Sequence, residues 1–324
     1  MGFIGTAGDP VGRPGSWLSG VDLVYQTSRF KGNKNFLVGV SGLAMDREGL
    51  SGDKTALVAK IDYPNDLWDN VFTYMRVGDG FDPSLGFVRR RDIHAYRGRL
   101  SYRPRHEDSW IRQRFHELEA SLVTDLHGDW ESWRIGVVPL ELRLESGDGL
   151  AYGVTPTGER LVESFEIEDG VVLGEGSYDW VRHRVEGELA AKRRFAGEVG
   201  FSWGGFYGGS LRELDVETVW TPSPRVTLAL EFERNMVHLA QGRFDQNQVG
   251  LRVRLNLSPD LQLNSFVQYD DESREVGTNT RARWIFHPQG ELFVIYNHNL
   301  REIDERFERD SNELLVKLQY TFRR

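Results

Sequence analysis

Hydrophobic and polar residues alternate with a period of two along almost the whole chain. Near the end, Leu314, Val316, Leu318, Tyr320 and Phe322 fall on one side, and Leu315, Lys317, Gln319, Thr321 and Arg323 on the other. Val249, Leu251, Val253, Leu255 and Leu257 oppose Gln248, Gly250, Arg252, Arg254 and Asn256. Val226, Leu228, Leu230 and Phe232 oppose Thr227, Glu231 and Glu233, and Ala282, Trp284 and Phe286 oppose Arg281 and Arg283. A helix would scatter these charges around its axis, whereas a strand collects them on one face. The pattern predicts strands over 17–28, 35–45, 54–62, 68–77, 91–103, 111–126, 131–145, 149–156, 178–192, 196–204, 211–221, 225–235, 247–257, 260–270, 276–286, 291–300 and 312–323, with a short piece at 2–7. Residues 162–168 read as a strand or an ordered loop. No stretch combines helical period with helix caps.

The connections alternate in character. Short turns are expected at 31–34, 62–67, 103–109, 146–149, 193–195, 222–224, 258–259 and 287–290. Longer polar loops are expected at 8–16, 46–53, 78–90, 157–177, 236–246, 271–275 and 301–311, with two short members at 127–130 and 205–210. Counted back from the C-terminus, the short turns all fall at one end of the strands. Short turns at one end and long loops at the other are the habit of outer-membrane β-barrels. The fold expected is therefore all-β, an antiparallel up-and-down transmembrane β-barrel with 16–18 strands visible, forming one domain over residues 1–324. The segment 157–177 is the longest irregular piece, suited to folding over a pore.

Composition narrows the classes. The 324 residues carry a net charge of −9, 35 Gly, 12% aromatics and no Cys. No apolar run approaches the length of a membrane-spanning helix. A disulfide framework and thiolate chemistry are excluded, and the acidic balance argues against nucleic acid as a partner. Lys occurs only at 31, 34, 54, 60, 192 and 317, so the other basic residues are Arg. The start, MGFIGTAGDP, has no basic region, apolar core or cleavage site, so it does not read as a signal peptide. The nine Trp (17, 68, 110, 130, 133, 180, 203, 220 and 284) lie close to ends of predicted strands. Interface girdles place aromatics there, because an indole is apolar with one N–H that seeks water. Trp68, Trp180, Trp203, Trp220, Trp284, Tyr320 and Phe322 are the candidate interface residues.

Candidate chemistry is sparse. The eight His form no HxH or HExxH spacing; His116–Glu117 and His106–Glu107–Asp108 are the nearest approaches to a metal set. No GxSxG elbow and no phosphate-binding glycine loop occurs. Asp270–Asp271–Glu272 and Glu302–Asp304–Glu305 read as solvated loop carboxylates without calcium-loop spacing. No cofactor, metal or catalytic residue is expected. The informative feature is a ladder of charge: Arg182, Arg184, Glu186 and Glu188 on one strand face, Glu231 and Glu233 beside Arg252 and Arg254, then Arg281, Arg283 and Lys317. Facing a lumen, opposite charges on adjacent strands would pair across it, keep it wet and set a transverse field. Glu186/Glu188 or Glu231/Glu233 could also serve as a glycosidase pair.

Four motifs resemble one known group. They are DYPNDLWD (62–69), GDGFDPSLGFV (78–88), WGGFYGG (203–209) and the closing LLVKLQYTFR (314–323). They look like the C-terminal outer-membrane β-barrel domain, of unknown function, of bacterial proteins that carry an N-terminal carbohydrate-binding family 9-like module. The resemblance spans nearly the whole chain and implies a bacterial outer-membrane location and no catalytic residues. It implies contact with the lipid bilayer and lipopolysaccharide, with the outer-membrane assembly machinery, and with a saccharide-like solute. It also implies a chain shortened at its N-terminus relative to the family. Arg89 stands where the family usually has Pro, and Phe322 precedes two trailing Arg where a terminal aromatic is usual. The expected function is a non-enzymatic pore or uptake component; the alternatives are a structural anchor with a plugged lumen and, remotely, a glycoside hydrolase.

Overall fold

In the computed structural model, which describes residues 1–107, 109–304 and 306–322, the chain is all-β. Asp108, Glu305 and the trailing Arg323 and Arg324, invoked above, lie outside the described residues. Twenty strands run in order: β1 (Gly2–Ala7), β2 (Trp17–Phe30), β3 (Lys34–Asp46), β4 (Thr55–Pro64), β5 (Trp68–Val77), β6 (Ile93–Tyr102), β7 (Ile111–Asp125), β8 (Trp130–Leu144), β9 (Gly149–Leu161), β10 (Phe165–Glu168), β11 (Val171–Leu173), β12 (Gly176–Leu189), β13 (Phe195–Phe206), β14 (Gly209–Ser223), β15 (Val226–His238), β16 (Arg243–Asn256), β17 (Leu261–Asp270), β18 (Glu275–His287), β19 (Gly290–Ile303) and β20 (Arg306–Tyr320). Eighteen belong to one large antiparallel up-and-down sheet; β10 and β11 form a separate hairpin. That hairpin fills the segment left open between strand and loop.

Contacts divide the chain into two compact units, residues 1–142 with 152–183, and 143–151 with 184–324. The division runs through β8, β9 and β12 instead of a linker, so no composition shift marks it.

In the first unit, register carries one apolar row from strand to strand: Leu23, Val40, Ala59, Tyr74, Tyr96 and Leu122. The opposite face holds Lys60, Thr73, Arg97 and Ser121 in one row and Asp62, Val71, Arg99 and Glu119 in the next. In the second unit an apolar row runs Val199, Val216, Phe232, Val249, Tyr269, Val276 and Leu300. One residue along each strand, the other face reads Glu198, Glu217, Glu231, Gly250, Gln268, Gly277 and Asn299. A single-residue slip would exchange the two faces, so this contrast fixes register across the sheet.

The hairpins of the second unit are longer than the alternation indicates. β15 and β16 are joined by residues 239–242, not 236–246, and β19 runs to Ile303 and β20 starts at Arg306, inside the loop expected at 301–311. Both faces are polar there, so period two is invisible, but cross-strand pairs sustain the ladder. Arg234 binds Asp245 at 2.7 Å, and Arg301 faces Glu308. All 15 residues of β20 are exposed, and its register partners among the described residues are on β19.

Candidate functional site

Two features distinguish the charge-bearing faces: a docked loop in the first unit and a segregated charge lattice in the second.

In the first unit, the loop-side ends of β3–β6 carry apolar residues on the face that elsewhere carries charge. Leu43, Ala56, Val77 and Ile93 form one register row, and Val58, Met75, Ala95 and Val123 the next. The loops 47–54 and 78–92 fold onto them. Phe81 is buried in a core with Met45, Val77, Ile93 and Ala95, flanked by Leu50 and Val88. Burying this apolar area is what holds the loop down.

Polar contacts then fix the loop's geometry. The Arg47 guanidinium is buried and binds the Asp82 carboxylate and, at 3.0 Å, its carbonyl. The Asp53 amide donates to the Asp79 carboxylate at 2.6 Å. Asp53 itself accepts from Thr55 at 2.6 Å and pairs with Arg76; the Thr55 bond chiefly holds its carboxyl below the ordinary value. Asp9, its side chain shielded from solvent, accepts from Ser84 at 2.6 Å and from Arg13 at 2.6 Å. Burial pushes the Asp9 carboxyl up, but bonds from Ser84, the Val11 amide and Arg13 outweigh it and hold the group at about 2.

Gly78 and Gly80 are constrained by close approach: a Cβ would collide with the Asp53 carbonyl from Gly78 and with the Ser51 carbonyl from Gly80. The motif 62–69 has a comparable knitting role at the short-turn end. Asn65 accepts from the Asn35 amide at 2.8 Å and donates to the Asn35 carbonyl at 2.9 Å, and Asp66 binds Arg105 at 2.8 Å. In 203–209, Tyr207 and Gly208 both have positive φ, 43° and 79°. This is the type I′ geometry of a two-residue hairpin loop.

In the second unit, register places Glu186, Glu188, Glu231, Glu233, Arg252, Arg254, Arg281, Arg283 and Lys317 on the face with Arg184, together with Asp215, Glu217 and Glu198, which sequence reasoning did not single out. Arg182 lies two residues before Arg184 on β12 and shares its parity. Some of the expected pairs form. Arg184 binds Asp215 at 2.6 Å, Glu186 at 3.1 Å and the Ser202 hydroxyl at 3.2 Å. Arg143 lies 3.4 Å from Glu188, and Arg252 lies 3.6 Å from Glu231. Glu233 instead accepts from Asn235 at 2.9 Å, and Arg283 binds Glu291 at 2.6 Å.

The charges are sorted more than they are paired. Carboxylates gather on β13–β15, where Glu198, Glu217 and Glu231 stand directly opposite one another. Cations gather on β16–β20, where aromatic rings support them and Glu291 and Glu313 share the face. The Arg252 guanidinium lies 4.5 Å from the Phe266 ring centre, and Arg281 lies 4.8 Å from that of Phe293. Arg283 and Lys317 each lie 5.9 Å from the same Phe293 ring. The row through Asn297 ends at Glu313, which accepts from the Asn297 amide at 3.0 Å.

The candidate interface aromatics are placed as follows. Trp68 opens β5 after a short turn and lies 4.6 Å from the Tyr102 ring. Trp220 and Trp284 lie near the short-turn ends of β14 and β18, on the apolar rows with Leu228 and Leu292. Tyr320 closes β20 and touches Phe322, ring centres 5.0 Å apart. Trp203 lies at the other end of its strand, opposite Arg212. Trp180 has the parity of Arg182, so strand alternation puts it on the charge-bearing face of β12. Among the described residues no group of His, Asp and Glu is arranged to hold a metal ion. No helix is long and apolar enough to cross a membrane, which says nothing of crossing by strands. No family model matches the chain, and no curated protein is found to be similar to it.

Proposed function

We propose that the chain is a bacterial outer-membrane β-barrel component whose charge-bearing face lines a wet lumen and passes a solute. One observation carries this reading: apolar rows continue through seven strands with charged rows one residue away, on a sheet of eighteen strands. A sheet with one wide apolar face and one charged face fits a bilayer on the first side and water on the second. Closure is part of the proposal, because lipid leaves no solvent for the unpaired backbone groups of an open sheet edge. The motif resemblance supports the same location, with the bilayer, lipopolysaccharide and the assembly machinery as partners, and a saccharide-like solute. No catalytic role is assigned: Glu186 and Glu231 are engaged by Arg184 and Arg252.

A second reading, an anchor with a plugged lumen, is favoured by the docked loop 78–92, which occupies part of the charge-bearing face of the first unit. Planar-bilayer recording of the refolded chain separates the two. Stepwise conductance supports passage. Silence in the intact chain, with conductance once the loop 78–92 is shortened, supports the plugged anchor. Silence in both contradicts a pore.

A further inference from the structure

We infer that the cation columns on β16, β18 and β20 bind a linear polyanion, an acidic oligosaccharide or a polyphosphate. The inference rests on the pore reading to the extent that this face must be wet. Its core is an imbalance of partners. Arg252 and Arg283 are neutralised by Glu231 and Glu291. Arg254, Arg281 and Lys317 form no ion pair within 4 Å among the described residues, although the Glu291 carboxylate bears on Arg281 and Lys317 through space, and all three are exposed.

Their arrangement selects the shape of the ligand. Arg254 faces Asn264, and Asn264 faces Arg281, so the two guanidinium-bearing positions stand two strands apart, with an amide between them. Two inter-strand spacings are about 10 Å. Arg283 faces Phe293, which faces Lys317, repeating the same two-strand interval one row along. One small anion meets one column; a chain with an acidic group every ~5 Å, the spacing of the strands themselves, places every second group on a successive column.

The aromatic supports sharpen this. Phe293 is buried beneath Arg281, Arg283 and Lys317, so it props the cations without using their hydrogen-bond donors. A guanidinium held over a ring keeps its N–H fork for a carboxylate or phosphate. The carboxylates of β13–β15, Glu198, Glu217, Glu231 and Glu233, repel the same ligand from that side of the face, as Glu313 does beyond Lys317.

The test is titration calorimetry on the full chain refolded in detergent, so that loss of the site and absence of conductance are separate results. The probes are hexagalacturonate, tripolyphosphate and, as the uncharged control, maltohexaose. Binding of at least one polyanion, weakening with salt, is expected, with no heat from maltohexaose. Arg254→Gln with Arg281→Gln is expected to weaken polyanion binding about tenfold or more, and the Arg→Lys pair, which keeps the charge but not the fork, to fall between that variant and the unaltered chain. Retention of the heat-modifiable band shows that each variant is folded. Binding of tripolyphosphate alone, abolished by the same variant, identifies a phosphate ligand; binding of hexagalacturonate identifies a sugar acid. Equal binding of maltohexaose, polyanion affinity unchanged in the double Gln variant, or no polyanion binding by the folded chain overturns the inference.

Discussion

Single residues decide whether the loop 78–92 stays on the sheet. Arg47 is buried against Asp82, itself 42% exposed at the side chain. Arg47→Ala is expected to cost the docked state about 1–2 kcal/mol, the low end for charged hydrogen bonds with a half-exposed partner. Limited proteolysis checks it: cleavage within 78–92 should quicken while the strands stay protected. Gly80→Ala should act in the same direction, since its Cβ would strike the Ser51 backbone. Asp9 sets a pH window. Its carboxyl is lowered to about 2 when folded, against an ordinary value of 3.8. A lowered carboxyl contributes stability that is complete above its unfolded value and is lost as pH falls through its folded value. Loop protection in hydrogen exchange should therefore persist to about pH 4 and fade towards pH 2; Asp9→Asn should remove that dependence. These contacts were not legible in the sequence. Leu43, Ala56, Val77 and Ile93 look like ordinary strand residues, and nothing in period two tells that the face beneath them awaits a loop.

Elements were far more legible. Seventeen of the expected strands and the short piece at 2–7 correspond to strands of the sheet, because alternation of apolar and charged residues is a direct record of a two-faced surface. It failed where both faces are polar. In the ends of β15, β16, β19 and β20, pairs such as Arg234–Asp245 carry the ladder, and such pairs have no apolar phase to read. The hairpin of β13 and β14 has its own dependence. Gly208 has φ 79° in a two-residue loop. Gly208→Val should destabilise that hairpin by about 1–2 kcal/mol, since a branched residue in the left-handed region clashes with its carbonyl. A lower urea midpoint for refolding into micelles, with unchanged strand content by circular dichroism, would check it.

At the scale of the molecule, the account depends on which side of the sheet meets lipid. The charge ladder was legible as a face but not as a sorted one. Sequence spacing shows that Glu231 and Arg252 are near, yet the register that lines up Glu198, Glu217 and Glu231 comes only from strand pairing. The docked loop and the cation columns are both consequences of that pairing. Because the chain has no Cys, single-cysteine variants need no prior edits. A nitroxide placed in turn at residues 248–255 of β16, in the chain refolded into liposomes, gives the most direct measurement. Accessibility to oxygen should peak at Val249, Leu251, Val253 and Leu255, and accessibility to a water-soluble nickel chelate at Gln248, Gly250, Arg252 and Arg254, in opposite phase. Equal access of both probes at all eight positions, or oxygen maxima on the Arg positions, would contradict a membrane-spanning sheet with a wet charged face.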